Sequence, residues 1–215
     1  MTGKNIRIDI VSDVVCPWCI IGYKQLEAAL NNTRTAGDIH WHPFQLAPDM
    51  PAEGRNLLEH LAKKYNRSHE EGRQNRQRIT DTGAALGFQF NYRDDMRVYN
   101  TFRAHQLLHW AALSGHQHDL KLALITAFFG QRQNIDDPDI LAAVAQSVGL
   151  DAKEALAVLD DERYATNVQE EERHWREQGI QGVPAMIFQQ RYLVSGAQGI
   201  DNYVSILQQI KEQPL

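Results

Sequence analysis

Cysteine is nearly absent from this chain of 215 residues, which holds two, Cys16 and Cys19. They lie so close that a bridge between them would constrain little chain, which argues against a permanent structural disulfide. There is no second cysteine pair. The histidines (His40 and His42, His105 and His109, His116 and His118) do not follow in a finger-like pattern, so a zinc site lacks its other two ligands and no metal is expected. A basic excess is also missing. The formal net charge is −5, which argues against nucleic acid as a partner. No apolar run approaches membrane-spanning length, so no membrane partner is expected. Met1-Thr2-Gly3-Lys4-Asn5 leads straight into an apolar alternation, with no apolar signal core and no small-residue cleavage site. The expected location is cytoplasmic, where a close dithiol rests reduced and cycles during work. There is neither an internal repeat nor a low-complexity tract.

The two cysteines frame Cys16-Pro17-Trp18-Cys19. Ile6, Ile8 and Ile10 alternate and predict a strand before the motif, and Ile20 to Leu30 predicts a helix after it. Pro17 suits the first helical position, where a missing N–H costs nothing. Cys16 then falls at the N-cap, where free backbone N–H groups and the positive end of the helix dipole favour a thiolate. That makes Cys16 the expected nucleophile. Cys19, a turn further in and more buried, is placed to resolve a mixed disulfide. Two inert core cysteines are the bland alternative, but Pro-Trp between them is not a core-helix pattern.

The chain is long enough for one large domain or two small ones. Ile39-His40-Trp41-His42-Pro43-Phe44 predicts a second strand, with His40 and His42 on one face, read as structural, and Trp41 on the other. From about Arg55 to Gln178 the pattern is almost wholly helical. Ser68 with Glu71 marks one helix start, and Asp137-Pro138 and Asp151 mark others. The run Glu170-Glu171-Glu172-Arg173 reads as a solvated face. After Gly179, Gly182-Val183-Pro184 leads into a hairpin, Ala185 to Phe188 and Tyr192 to Ser195, and a last helix covers Ile200 to Lys211. The predicted organisation is a first part over 1–54 (β-α-β), a helical insertion over 55–178 and a closing β-β-α part over 179–215.

Asp13-Val14-Val15-Cys16-Pro17-Trp18-Cys19-Ile20-Ile21-Gly22 and Gly179-Ile180-Gln181-Gly182-Val183-Pro184 resemble the DsbA family. The element order is similar to an α/β thioredoxin-like fold with a large all-helical insertion. Asn100-Thr101-Phe102-Arg103-Ala104-His105-Gln106-Leu107 resembles the FrnE-like branch, cytosolic dithiol–disulfide oxidoreductases or isomerases. The resemblance implies a cis Val183-Pro184 bond against the dithiol, shaping a groove in which a substrate backbone pairs by strand addition. It implies thiol–disulfide exchange on a protein or small-molecule substrate without a resident cofactor, with glutathione as a possible redox partner. The related kappa-class glutathione transferases and 2-hydroxychromene-2-carboxylate isomerases typically carry Ser at the first cysteine. A glutathione-dependent isomerase or transferase acting on a small aromatic substrate is therefore the alternative, and a non-catalytic peptide-binding module a third reading. The Cys16 and Cys19 pair favours the oxidoreductase.

Other residues keep two readings each. His105 either bonds a thiolate or shuttles its proton, or is a satisfied buried histidine, and His109 is a weaker candidate of the same kind. Asn100 orients a substrate or caps its helix. Asp13 exchanges protons with Cys19 or caps a loop. Trp18 offers an apolar contact to a client or packs on the insertion. With Trp18 between the cysteines rather than a cation, the Cys16 pKa is expected to be less depressed than in strongly oxidising DsbA proteins.

Overall fold

A computed structural model describes residues 5–212. Strand β1 (Ile6–Ser12) leads through the motif into α1 (Pro17–Asn32), and β2 (Gly37–Pro43) returns parallel to β1. The hairpin β5 (Ala185–Phe188) and β6 (Tyr192–Ser195) completes a four-stranded sheet of order β2-β1-β5-β6, with β5 antiparallel to both neighbours. Central β1 is covered on both faces, so Asp9, Val11 and Ser12 are buried along with the alternating isoleucines. Helix α9 (Ile200–Glu212) packs against α1. A Cβ on Gly22 of α1 would meet Met186 Cε at 3.2 Å and Pro184 Cγ at 3.3 Å. Glycine thus lets α1 lie close against the Val183-Pro184 segment.

Between β2 and β5 run α2 (Leu57–Tyr65), α3 (His69–Ala85), α4 (Phe102–Ala112), α5 (Gln117–Phe129), α6 (Pro138–Ser147), α7 (Ala152–Asp160) and α8 (Ala165–Glu177). Their starts follow from local chemistry. Ser68 and Glu71 close a reciprocal capping box, and the Asp137 and Asp151 carboxylates accept backbone N–H bonds from the first turns of α6 and α7. The segment is not purely helical. Strands β3 (Arg55–Asn56) and β4 (Arg97–Val98) pair antiparallel, and the Arg97 side chain bonds the carbonyls of Glu53 and Gly54. Two-residue strands are too short to carry a period, so no alternation marks them in the sequence. One continuous apolar core joins Ile8, Ile10 and Leu26 to Leu107, Leu124 and Phe128 of the insertion.

The acidic run of α8 is not a uniform solvated face. Glu172 is buried, and Glu171 pairs with His42 on β2. Helix α8 lies against the edge of the sheet, so its inward stripe carries Glu171 onto His42 of β2, which in turn bonds Asp9 of β1. Among the described residues, no helix is long and apolar enough to cross a membrane.

Candidate functional site

The strand–helix junction builds the site. Cys16 is the N-cap of α1 in an extended conformation (φ −94°, ψ 112°), and Pro17 follows at the first helical position. The Cys16 side chain makes no cap bond to the first turn, so what the helix end offers its sulfur is the positive end of the dipole. Both thiols are free and buried, with Cys16 4% and Cys19 0% exposed. Cys19 N donates to Cys16 O at 3.1 Å within the first turn. Cys16 Sγ donates to Val183 O at 3.6 Å, and the Val183-Pro184 bond is cis. Chain segments more than 160 residues apart thus meet at one sulfur. Pro184 is buried, whereas Trp18 is 41% exposed beside the thiols.

Beneath the dithiol lies a buried charged group. Asp13 Oδ2 accepts from Leu46 N at 2.8 Å, and its Oδ1 lies 3.4 Å from His105 Nε2. Lys121 of α5 is fully buried. Its Nζ sits 3.5 Å from Ser12 O and 5.3 Å from the Trp41 ring centre. Burial pushes the Lys121 ammonium down to about 8, against the pull of Cys19, Asp13 and Cys16. Burial also pushes Asp13 up, but the adjacent His105 outweighs it and holds the carboxyl below its ordinary value. Burial and the neighbouring Cys16 push the Cys19 thiol well above its ordinary value, with Lys121 opposing. The Cys16 sulfur therefore lies against the Val183 carbonyl, and Cys19 is the more deeply buried of the two.

The structure brings together Cys16, Pro17, Trp18, Cys19, Val183 and Pro184. His105 is 2% exposed and directed at Asp13. Asn100 Oδ1 accepts from Phe102 N at 2.8 Å and from Gln45 Nε2 at 3.1 Å, and its Nδ2 donates to Pro48 O at 2.9 Å. It ties the start of α4 to the segment after β2. His109 lies 3.9 Å from Glu171. Lys121 was not singled out from sequence. The available signal was a lone lysine in Leu120 to Phe129, a helix apolar on all sides and therefore buried. Among the described residues, no three His, Cys, Asp or Glu side chains could hold a metal ion.

The model of the DSBA-like thioredoxin domain matches residues 7–208. The chain belongs to this family. It is similar over its whole length to a Streptomyces coelicolor protein described as a probable DsbA oxidoreductase. That structure is 32% identical, with a TM-score of 0.91 over 98% of this chain and 93% of the other. The Bacillus subtilis (strain 168) protein YwbO is 27% identical over 198 residues, 92% of this chain and 93% of its own. The fold is shared with the cytosolic disulfide reductase DsbM of Pseudomonas aeruginosa, solved with GSH. There the TM-score is 0.65 at 17% identity, over 96% of this chain and all of the other. A DSBA-like thioredoxin fold carrying a helical insertion is thus established for the chain, together with its place among DsbA-like oxidoreductases.

Proposed function

We propose that this DSBA-like protein is a cytosolic thiol–disulfide oxidoreductase in which Cys16 is the nucleophile and Cys19 the resolving thiol. One observation carries the reading. The Cys16 sulfur lies at the start of α1 and against the carbonyl before cis Pro184, with a second, more deeply buried thiol in the same helical turn.

In reduction, the Cys16 thiolate attacks one sulfur of a substrate disulfide. The substrate S–S bond breaks, a Cys16–substrate disulfide forms, and the first substrate thiolate leaves. Cys19 then gives up its proton and attacks Cys16 Sγ. This releases the second substrate thiolate and leaves a Cys16–Cys19 disulfide, so two electrons have passed to the substrate. Lys121 lies where its charge favours the Cys19 thiolate as that proton leaves. Run backwards, the same steps oxidise a dithiol. Val183, next to the attacking sulfur, and Pro184 form the wall against which an extended substrate lies, and Trp18 is its exposed apolar contact. Glutathione is the proposed small-thiol reductant, which DsbM with GSH makes a natural first choice.

The deciding experiment equilibrates the protein with glutathione buffers of defined ratio and counts free thiols by alkylation and mass. A reversible two-electron transition between dithiol and Cys16–Cys19 disulfide is expected. Cys16→Ser should abolish turnover of a disulfide substrate, and Cys19→Ser should accumulate the mixed disulfide. A stable glutathione adduct on Cys16 with no internal disulfide would move the assignment to glutathione-dependent isomerase or transferase chemistry.

A further inference from the structure

A pocket opens beside the dithiol on the side of the insertion, with a volume of about 120 Å³. Val15 and Pro17, the neighbours of Cys16, form one wall. Leu58, Leu61, Ile79 and Phe129 make the rest largely apolar. Into this lining α3 brings Arg76, only 7% exposed. Its Nη1 donates to Arg93 O at 3.2 Å and lies 3.4 Å from Asp94 Oδ1. Its Nε and Nη2 are buried and have no hydrogen-bond partner among the described residues. These two nitrogens form one edge of the guanidinium fork, the edge that takes a carboxylate through two parallel bonds.

The nearby carboxylates leave this edge unfilled. Asp94 is exposed and shared with Arg73, at 2.9 Å, and Glu70 lies 3.9 Å from Arg73 rather than at Arg76. The pocket wall itself holds no carboxylate, but does include Arg67 as well as Arg76. Burying charged donors without hydrogen-bond partners is costly, so a native structure that does so calls for an explanation. The pocket also reaches the reacting end of the molecule. Val15 and Pro17 bring it beside Cys16, and Tyr92 lines it with the Arg76 guanidinium 5.6 Å from its ring centre. Size narrows the occupant. An apolar cavity of about 150 Å³ takes one benzene ring, so this one suits a single ring or a short branched chain and excludes a folded peptide segment.

We propose that this pocket binds the apolar, carboxylate-bearing half of a small organic disulfide or thiol, with Arg76 Nε and Nη2 clasping the carboxylate and the sulfur presented to Cys16. The sulfur step rests on the dithiol reading above, whereas binding of the carboxylate does not. The exchange is the one already balanced: Cys16–S forms to one half of the substrate and the other half leaves as its thiolate.

The test pairs two one-ring disulfides, anionic dithiobis(nitrobenzoate) and uncharged dithiodipyridine, and measures their rates with the reduced protein. Arg76→Met should lower the rate ratio of anionic to neutral reagent by about tenfold, the worth of one lost charge-assisted pair. Arg76→Lys, which keeps charge without the fork, should fall between. The dithiodipyridine rate should hold in both variants, and circular dichroism should confirm that they are folded. An unchanged ratio overturns the site, as does an equal slowing with both reagents, which would make Arg76 purely structural. A second arm needs no sulfur chemistry. Cinnamate, but not cinnamamide, should shift the amide resonances around Gly72 and Ile79 in the wild type and not in Arg76→Met. If cinnamate does not bind, the proposal fails even with a working dithiol. If it binds while neither disulfide reacts, the pocket stands and the oxidoreductase reading fails.

Discussion

In the proposed mechanism, single residues set the order of events at the dithiol. Cys16 has the helix end and the Val183 carbonyl beside it, whereas burial and the neighbouring Cys16 push the Cys19 thiol up. Lys121, a fully buried cation, opposes that effect. Lys121→Met should therefore raise the Cys19 pKa further and slow resolution of a mixed disulfide, on the order of tenfold, with the pH–rate curve displaced upward. The lifetime of the glutathione mixed disulfide, quenched and weighed between mildly acid and mildly alkaline pH, reads this directly. An unchanged lifetime with unchanged pH dependence would reduce Lys121 to packing. Gly22→Ala gives a second expectation, because its added methyl meets Pro184 Cγ at 3.3 Å. Overpacking there should cost about 1–3 kcal/mol in urea unfolding and lower the Cys16 reaction rate, since α1 and the Pro184 segment must part. Sequence spacing made the placement of Cys16 and Cys19 at the start of α1 readable, and the family resemblance pointed to the cis bond before Pro184. Lys121 and Glu172 were not readable in the same way. Their burial is decided by Ser12 and Trp41 and by the sheet edge, partners far away in the chain.

At the scale of elements, whatever had a period or a cap could be read. The isoleucine alternation of β1, the hairpin β5–β6 and the capped starts of α3, α6 and α7 all fall where local chemistry put them. The β3–β4 ribbon did not, because its two short pairs are held by Arg97 bonds to backbone carbonyls rather than by side-chain alternation. Caps on the insertion should be separable from the site. Asp137 and Asp151 satisfy backbone N–H groups on helices that contribute nothing to the dithiol. Asp137→Ala and Asp151→Ala should each cost about 1 kcal/mol of stability, near-additively, and leave the Cys16 reaction rate unchanged. Thermal unfolding paired with thiol-reaction kinetics checks both halves of that statement. A loss of rate in either variant would mean that the insertion transmits strain to the site.

The whole molecule is tied across its sheet by one polar bridge whose charge depends on pH. His42 on β2 bonds Asp9 of β1 through Nε2 at 2.8 Å and Glu171 of α8 through Nδ1. Arg7 reaches Asp9 at 2.7 Å, His109 lies 3.9 Å from Glu171, and the Trp175 ring packs 4.7 Å from the His42 ring. Burial pulls His42 down, but its two carboxylate partners outweigh this and raise it above its ordinary 6.5. Burial pushes Glu171 up, yet His109 and His42 hold it down at about 2, and His42 and Arg7 hold Asp9 below the usual carboxylate range. The signs then follow. The His42 contribution is complete below its unfolded pKa and disappears as pH rises through the raised folded value. The carboxylate contributions are complete above about pH 5 and disappear as pH falls through the lowered values. Stability from this bridge should therefore peak in the window between about pH 5 and 6.5 and decline on both sides. In His42→Gln the decline above neutrality should shrink, because the imidazole held between the two carboxylates is gone and only His109, 3.9 Å from Glu171, is left in the bridge, while the acid limb becomes shallower as Asp9 and Glu171 lose their shared cation. Unfolding midpoints in urea, taken at half-unit steps across this range for both proteins, decide the point. Parallel curves would show that the bridge holds α8 against the sheet by shape alone. Converging acid limbs with a persistent alkaline difference would show that the carboxylates are held by Arg7 and His109 rather than by His42.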